Sequence, residues 1–136
     1  MRYDIVAGEE LRKIMASALV DPIPFNEDMS KGSYTFEPFT EGFIKERASV
    51  HSVSEQEYSE KLGMFFTFLS KLSLEDEVHL HFGVDQTCLA NRAFLIEYLK
   101  PRCGKIVLHI VNEYTGEELK KQLIKGLLNK KVISKI

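Results

Sequence analysis

The stretch Val78-His79-Leu80-His81-Phe82-Gly83-Val84-Asp85, continued by Gln86-Thr87-Cys88-Leu89-Ala90-Asn91, leaves few folds open. An apolar run stops at a glycine, an aspartate follows, and a helical pattern starts behind it. This is the order strand, turn, N-cap, helix. The same order stands near the N-terminus in Ile5-Val6-Ala7-Gly8-Glu9-Glu10-Leu11. Strands that pass straight into helices build parallel sheets covered on both faces, with right-handed crossovers. The expected fold is therefore α/β. It is one domain over residues 1–136, three-layered, with a mainly parallel sheet of four to five strands flanked by helices. In such a sheet the turns after Gly8, Gly83 and Asn112 share the carboxyl edge, where ligands usually bind.

The other segments are assigned by their period. Tyr3 to Ala7 predicts the first strand, and Glu9 to Ala18, with Leu11, Met15 and Ala18 on one face, predicts a helix. Pro22 and Pro24 limit Val20 to Phe25 to an edge strand, because proline brings no backbone donor. Asn26 to Gly42 reads as a long loop, a feature that is often functional in compact domains. Phe39 to Val50 predicts a short helix. Ser54-Glu55-Gln56-Glu57 has the form of a capping box. Behind it Tyr58, Leu62, Phe65, Phe66, Leu69 and Leu72 predict a single helix. Glu77 to Phe82 and Lys105 to Val111 predict strands, with a helix from Asp85 to Lys100 between them. Thr115-Gly116-Glu117-Glu118 repeats the capping-box form. It predicts a last helix through Leu119, Leu123, Leu127 and Leu128, followed by a short strand at Val132 and Ile133.

A chain of 136 residues, 44% of them hydrophobic, can bury a core without disulfides or a structural metal. Cys88 and Cys103 read as free thiols in a reducing compartment. No apolar leader precedes Tyr3 and no run approaches the roughly 20 residues of a membrane span, so a cytoplasmic protein is expected. The net charge of −2 creates no field that would recruit nucleic acid. The lysine-rich segment from Thr115 onward lacks arginines and interleaved aromatics, and reads as a solvated face.

The chemistry-bearing residues gather at the two junctions. Helix starts attract anions, but Glu9, Glu10 and Asp85 already occupy those positions and repel phosphate. The first junction is not GxGxxG, no Walker pattern is present, and the sequence assigns no cofactor. Asp85 reads either as a plain N-cap or as half of a carboxylate pair with Glu9. Such a pair, joined by Asp28 from the long loop, can hold hydroxyls, an amine or a cation. Arg47 lies in a segment, Asp21 to Glu60, with nine acids and three bases. It either pairs with a carboxylate or reaches over the sheet edge to an anionic ligand group. His79 and His81 share one face of a strand, and His109 lies on another. They read as satisfied core histidines in preference to a zinc site. Cys88, in the first turn of a helix, reads as a small buried residue in preference to a nucleophile.

The Phe82–Leu95 segment resembles the bacterial domain of unknown function 1835 family. The residues that carry the likeness are His81-Phe82-Gly83-Val84-Asp85, then Cys88, Asn91 and Leu95. Val6-Ala7-Gly8-Glu9 is similar to that family's opening glycine–acid turn. Pro24 to Gly32 resembles its acidic loop, and Phe43-Ile44-Lys45-Glu46-Arg47-Ala48 its arginine-bearing helix. The likeness covers most of residues 1–100. It implies that Gly8, Glu9, Asp28, Arg47, Asp85 and Asn91 belong together, and it implies no particular activity.

The function expected on these grounds is a small-ligand-binding or regulatory domain with a polar cleft at the carboxyl edge of the sheet. Its ligand would bear hydroxyl, amide or cationic groups, with Arg47 holding any anionic end. Two alternatives stand beside it. One is a hydrolase or transferase with Glu9 or Asp85 as acid or base. The other is a protein-interaction module, a homodimer, that uses the aromatic residues Phe36, Phe39 and Phe43.

Overall fold

Five of the six residues of Glu77–Phe82 are buried, as a central strand flanked on both sides and covered on both faces requires. In the computed structural model, which describes residues 1–126, this strand is β3. The others are β1 (Arg2–Val6), β2 (Ile23–Pro24), β4 (Lys105–Val111) and β5 (Glu118–Lys125). The helices are α1 (Glu9–Met15), α2 (Glu41–Val50), α3 (Glu55–Lys61), α4 (Gly63–Lys71) and α5 (Gln86–Leu99). The sheet order is β2-β1-β3-β4-β5. The fold is α/β. Its sheet is mixed: β2, β1, β3 and β4 run parallel, and β5 runs antiparallel to β4.

The antiparallel strand corrects the expected last helix. Asn112 Oδ1 accepts the amides of Tyr114 and Thr115 at 2.9 and 3.2 Å. The Gly116 amide, with φ at 77°, returns to the Asn112 carbonyl at 2.7 Å. This side-chain-closed turn sends the chain straight back along β4. Thr115 Oγ1 accepts the amide of Glu117 at 3.2 Å and caps no helix. With Lys120, Lys121 and Lys125 along it, β5 is a charged edge strand of the kind that resists pairing with other chains. Leu127, Leu128 and the short strand expected at Val132 and Ile133 lie outside the described residues.

The single helix expected behind Ser54 is two, α3 and α4, which meet at the fully buried Leu62. Ser54 Oγ accepts the Glu57 amide at 3.0 Å, which is one half of the expected capping box. Ser54→Ala should therefore cost about 1 kcal/mol in urea unfolding, the usual worth of such a cap.

Helices α2 to α5 cover one face of the sheet, against Ile5, Val78, Leu80, Phe82, Ile106 and Leu108. On the opposite face α1 places Leu11 and Met15 on Val6 and Val111. That second face also carries the three strand histidines. His81 Nε2 meets Asp4 Oδ1 at 2.8 Å, and His79 Nδ1 meets His109 Nε2 at 2.7 Å. His109 Nδ1 meets Glu118 on β5, and the His81 and His109 rings stack with centroids 4.4 Å apart. Phe39, expected at an interaction surface, instead contacts the rings of Phe25, Phe43, Phe65, Phe66, Phe94 and Tyr98. Its backbone has a positive φ of 64°, a strain for a bulky residue that the surrounding cluster must hold. Phe43 is fully buried and Phe36 is 55% exposed.

Candidate functional site

Because β1 to β4 run parallel, Gly8, Asn26–Asp28, Gly83–Asp85 and Asn112–Glu113 emerge at one edge. The chain leaves β1 for β2 on one side and later enters β3 on the other. The order thus reverses at β1, the place where open parallel sheets form a crevice.

The loop after β2 is fastened over this edge by Glu27. Neither Glu27 nor Arg47 exposes any of its side chain, and they form a two-point pair: Arg47 Nε to Oε2 at 3.0 Å and Nη2 to Oε1 at 2.9 Å. Tyr58 Oη donates to Oε2 at 2.6 Å, the Asp28 amide donates to Oε1 at 2.7 Å, and His51 Nε2 lies 2.5 Å from Oε1. Burial alone would raise the Glu27 pKa. The donors Arg47, Tyr58, His51 and the Asp28 amide outweigh it and hold the carboxyl at about 2. Burial pushes the Tyr58 hydroxyl far up, and the neighbouring Glu27 charge adds to the shift. Glu27 is therefore an anion, and the imidazole nitrogen facing it must carry a proton. The ring proton shared with Glu27 is therefore on Nε2, and in that tautomer Nδ1 is the acceptor.

Arg47 is corrected by this network. Its remaining guanidinium protons go to the carbonyls of Lys31, Ser33 and Asp28, at 2.9, 3.2 and 2.9 Å. Every donor is used, so none is left for an anionic ligand group. Asn91 is equally committed. Its Oδ1 accepts the Met29 amide and its Nδ2 donates to the Glu27 carbonyl, both at 2.7 Å. Both residues pin the loop and belong to the wall behind the site. Glu9 points away into an ion pair with Arg12, at 2.5 Å, and among the described residues shares no hydrogen-bond partner with Asp85. Of the expected set, Gly8 and Asp28 line an open cleft of about 440 Å³, together with Asn26, His51, Tyr58 and Lys61. Asp28 Oδ1 accepts the amide and hydroxyl of Ser30, and Oδ2 accepts Thr87 Oγ1 at 3.2 Å, which ties the cleft to α5.

Asp85 stands farther along the edge. It caps α5 by accepting the Cys88 amide at 2.7 Å. That bond holds its carboxyl below the usual range, and burial with the nearby Asp85 charge pushes Glu113 above it. Cys88 Sγ lies 2.7 Å from Glu113 Oε1, and burial raises its thiol pKa. Glu113 packs directly on Gly83, where any Cβ would collide with its side chain. Among the described residues, Asp85, Cys88 and Glu113 are the group that brings three metal-ligating atoms together, all within 4.8 Å of one another. Two carboxylates and a cysteine sulfur that gives up its proton on binding would suit a borderline divalent ion such as zinc.

Glu27, His51, Tyr58, Lys61 and Glu113 were not singled out by sequence. Two signals existed. Continuing the alternation of β2 past Phe25 puts Glu27, and not Asp28, on the core side. His51 follows Arg47 by four residues, which places both on one helix face. Comparison of the chain with protein-family models, with curated proteins and with solved structures finds no match. Among the described residues no helix is long and apolar enough to cross a membrane.

Proposed function

We propose that this chain is a small-ligand-binding domain whose site is the cleft between Gly8, Asn26, Asp28 and His51. The observation that carries this reading is the buried Glu27–Arg47 pair directly behind that cleft. A buried ion pair adds little net stability compared with apolar side chains of the same size. Spending five guanidinium hydrogen bonds on a loop beside an opening makes better sense as preorganisation of the groups that face a ligand. The ligand is small and polar, with hydroxyl, amide or amine donors for Asp28 and for His51 Nδ1. The buried, free Cys88 and Cys103 suit a reducing compartment, which favours the cytoplasm.

A melting screen with sugars, polyols, amino acids and nucleosides tests the reading. A cleft ligand at 100 times its dissociation constant should stabilise the wild type by about 2.7 kcal/mol. Gly8→Phe supplies the control. A Cβ at Gly8 meets nothing closer than Asn26 Oδ1 at 3.9 Å, and φ there is 163°, so the side chain enters the cleft without backbone strain. That variant should fold and lose the ligand-induced shift. A shift of equal size in Gly8→Phe would remove the cleft from consideration.

One observation favours a second reading, a hydrolase or transferase. Asp85 and Glu113 are neighbouring carboxyls whose pKa values are displaced in opposite directions, the arrangement that divides acid and base roles. In that reading Glu113 takes the place expected for Glu9.

A further inference from the structure

Resting on the reading of the cleft as a ligand site, we infer that its ligand is a small hydroxylated anion, with a hydroxyl donated to His51 Nδ1 and the negative group beside Lys61. The hydroxyl end follows from the tautomer. Glu27 accepts the Nε2 proton, Nδ1 has no hydrogen-bond partner among the described residues, and 22% of the His51 side chain is exposed where it lines the cleft. In the tautomer with the proton on Nε2, Nδ1 presents a lone pair and asks for a donor. Asp28, 22% exposed, accepts a second hydroxyl.

The anionic end follows from the balance of charges around the cleft. Arg47 neutralises Glu27, and Lys31 Nζ lies 4.0 Å from Asp28 Oδ2. Arg12 neutralises Glu9 at the entrance to α1. The lysines that pair with acids among the described residues are Lys13, Lys31 and Lys105. Lys61 is not one of them. Its carbonyl accepts Asn26 Nδ2 at 3.0 Å, which fixes its backbone on the cleft wall while the ammonium stays uncompensated. Lys61 thus does what Arg47, with every donor committed, does not. Val53, with the buried Phe25 behind it, supplies the apolar floor for a carbon skeleton.

The test is an amide-resolved NMR titration of the full chain with glycerol 3-phosphate, glycerol and inorganic phosphate, on the wild type and on Lys61→Met. The exposed Lys61 side chain can be exchanged without touching the core. Glycerol 3-phosphate should shift the amides of Gly8, Asn26 and Asp28 and saturate at least tenfold more tightly than either fragment. Lys61→Met should remove that tenfold advantage and leave the glycerol response as it was. Phosphate binding as tightly as glycerol 3-phosphate overturns the inference, as do shifts that map elsewhere. Should other compounds shift melting through the cleft while glycerol 3-phosphate does not bind, the hydroxylated-anion assignment falls and the ligand-site reading stands. Should nothing bind in the cleft, both fall.

Discussion

Arg47→Ala is expected to cost about 3–5 kcal/mol of folding stability, because it leaves the Glu27 carboxylate charged and buried without its partner. A domain of this kind holds only about 5–15 kcal/mol in total. Urea unfolding of the variant should therefore show a large fall in midpoint, or partial unfolding in buffer. The loss has two parts. Glu27 keeps Tyr58, His51 and the Asp28 amide as donors but loses its counter-charge. The carbonyls of Asp28, Lys31 and Ser33 lose the donor that Arg47 gives them, which loosens the loop at the cleft. The double variant Arg47→Met, Glu27→Leu separates stability from function. Apolar side chains of similar volume remove the uncompensated charge, so that part of the loss should return, while the part from the loop carbonyls should not. Ligand-induced stabilisation should not return, because His51 then has no carboxylate to orient it. A double variant that melts like the single one would mean that the lost hydrogen bonds, and not the uncompensated charge, carry the cost.

The second large effect is with pH, and acid should unfold the protein in two stages. Burial lowers the pKa of both His79 and His109 in the folded state. The unfolded chain, with histidines near 6.5, takes up protons first. Stability from these groups is fully present above the unfolded value and declines as pH falls through about 6.5. Arg2, Asp4 and Glu77 also face His79, and His81, Glu118 and Lys121 face His109. The second stage belongs to Asp4 and Glu27. For both, burial raises the pKa but is overcome. His81 and Arg2 bring Asp4 to about 2, and Arg47, Tyr58 and His51 bring Glu27 to about 2. Their unfolded values lie near 4. Their contribution is present above that range and is lost as pH falls from about 4 toward 2. Each group steepens the slope by as much as 1.4 kcal/mol per pH unit. Urea unfolding between pH 8 and 3 should show a gentle decline and then a steep one. His109→Phe should flatten the first stage and leave the second. A stability that is flat from pH 7 to 5 contradicts the histidine assignment.

Residues that alternate or recur cleanly were legible without coordinates. Glu77–Phe82, Lys105–Val111 and the Asp85 cap of α5 are found where the periods put them. The parallel run of β1, β3 and β4 does bring Gly8, Gly83 and Asn112 to one edge, as two strand-to-helix junctions require. What failed was local chemistry with two outcomes. Thr115-Gly116-Glu117-Glu118 fits a helix start, yet Asn112 closes a hairpin turn just before it, taking the amides of Tyr114 and Thr115 on its side chain and that of Gly116 on its carbonyl. Arg47 amid acids fits both a structural pair and an anion clamp, and only the position of Glu27 decides between them. Asn91 and Asp28 do different work: one holds the loop from behind, and the other faces the cleft. The contacts that build the site join residues far apart in sequence, Glu27 with Arg47, His51 and Tyr58 and Met29 with Asn91, and no local period encodes them.

If the buried Glu27 network preorganises the Gly8–His51 cleft for a ligand, calorimetric titration of wild type and Gly8→Phe with the compound that raises melting most will show it. The expected result is saturable binding at one site per wild-type chain and at least a hundredfold weaker binding to a Gly8→Phe protein that melts close to the wild type. Equal affinity in the two proteins contradicts it.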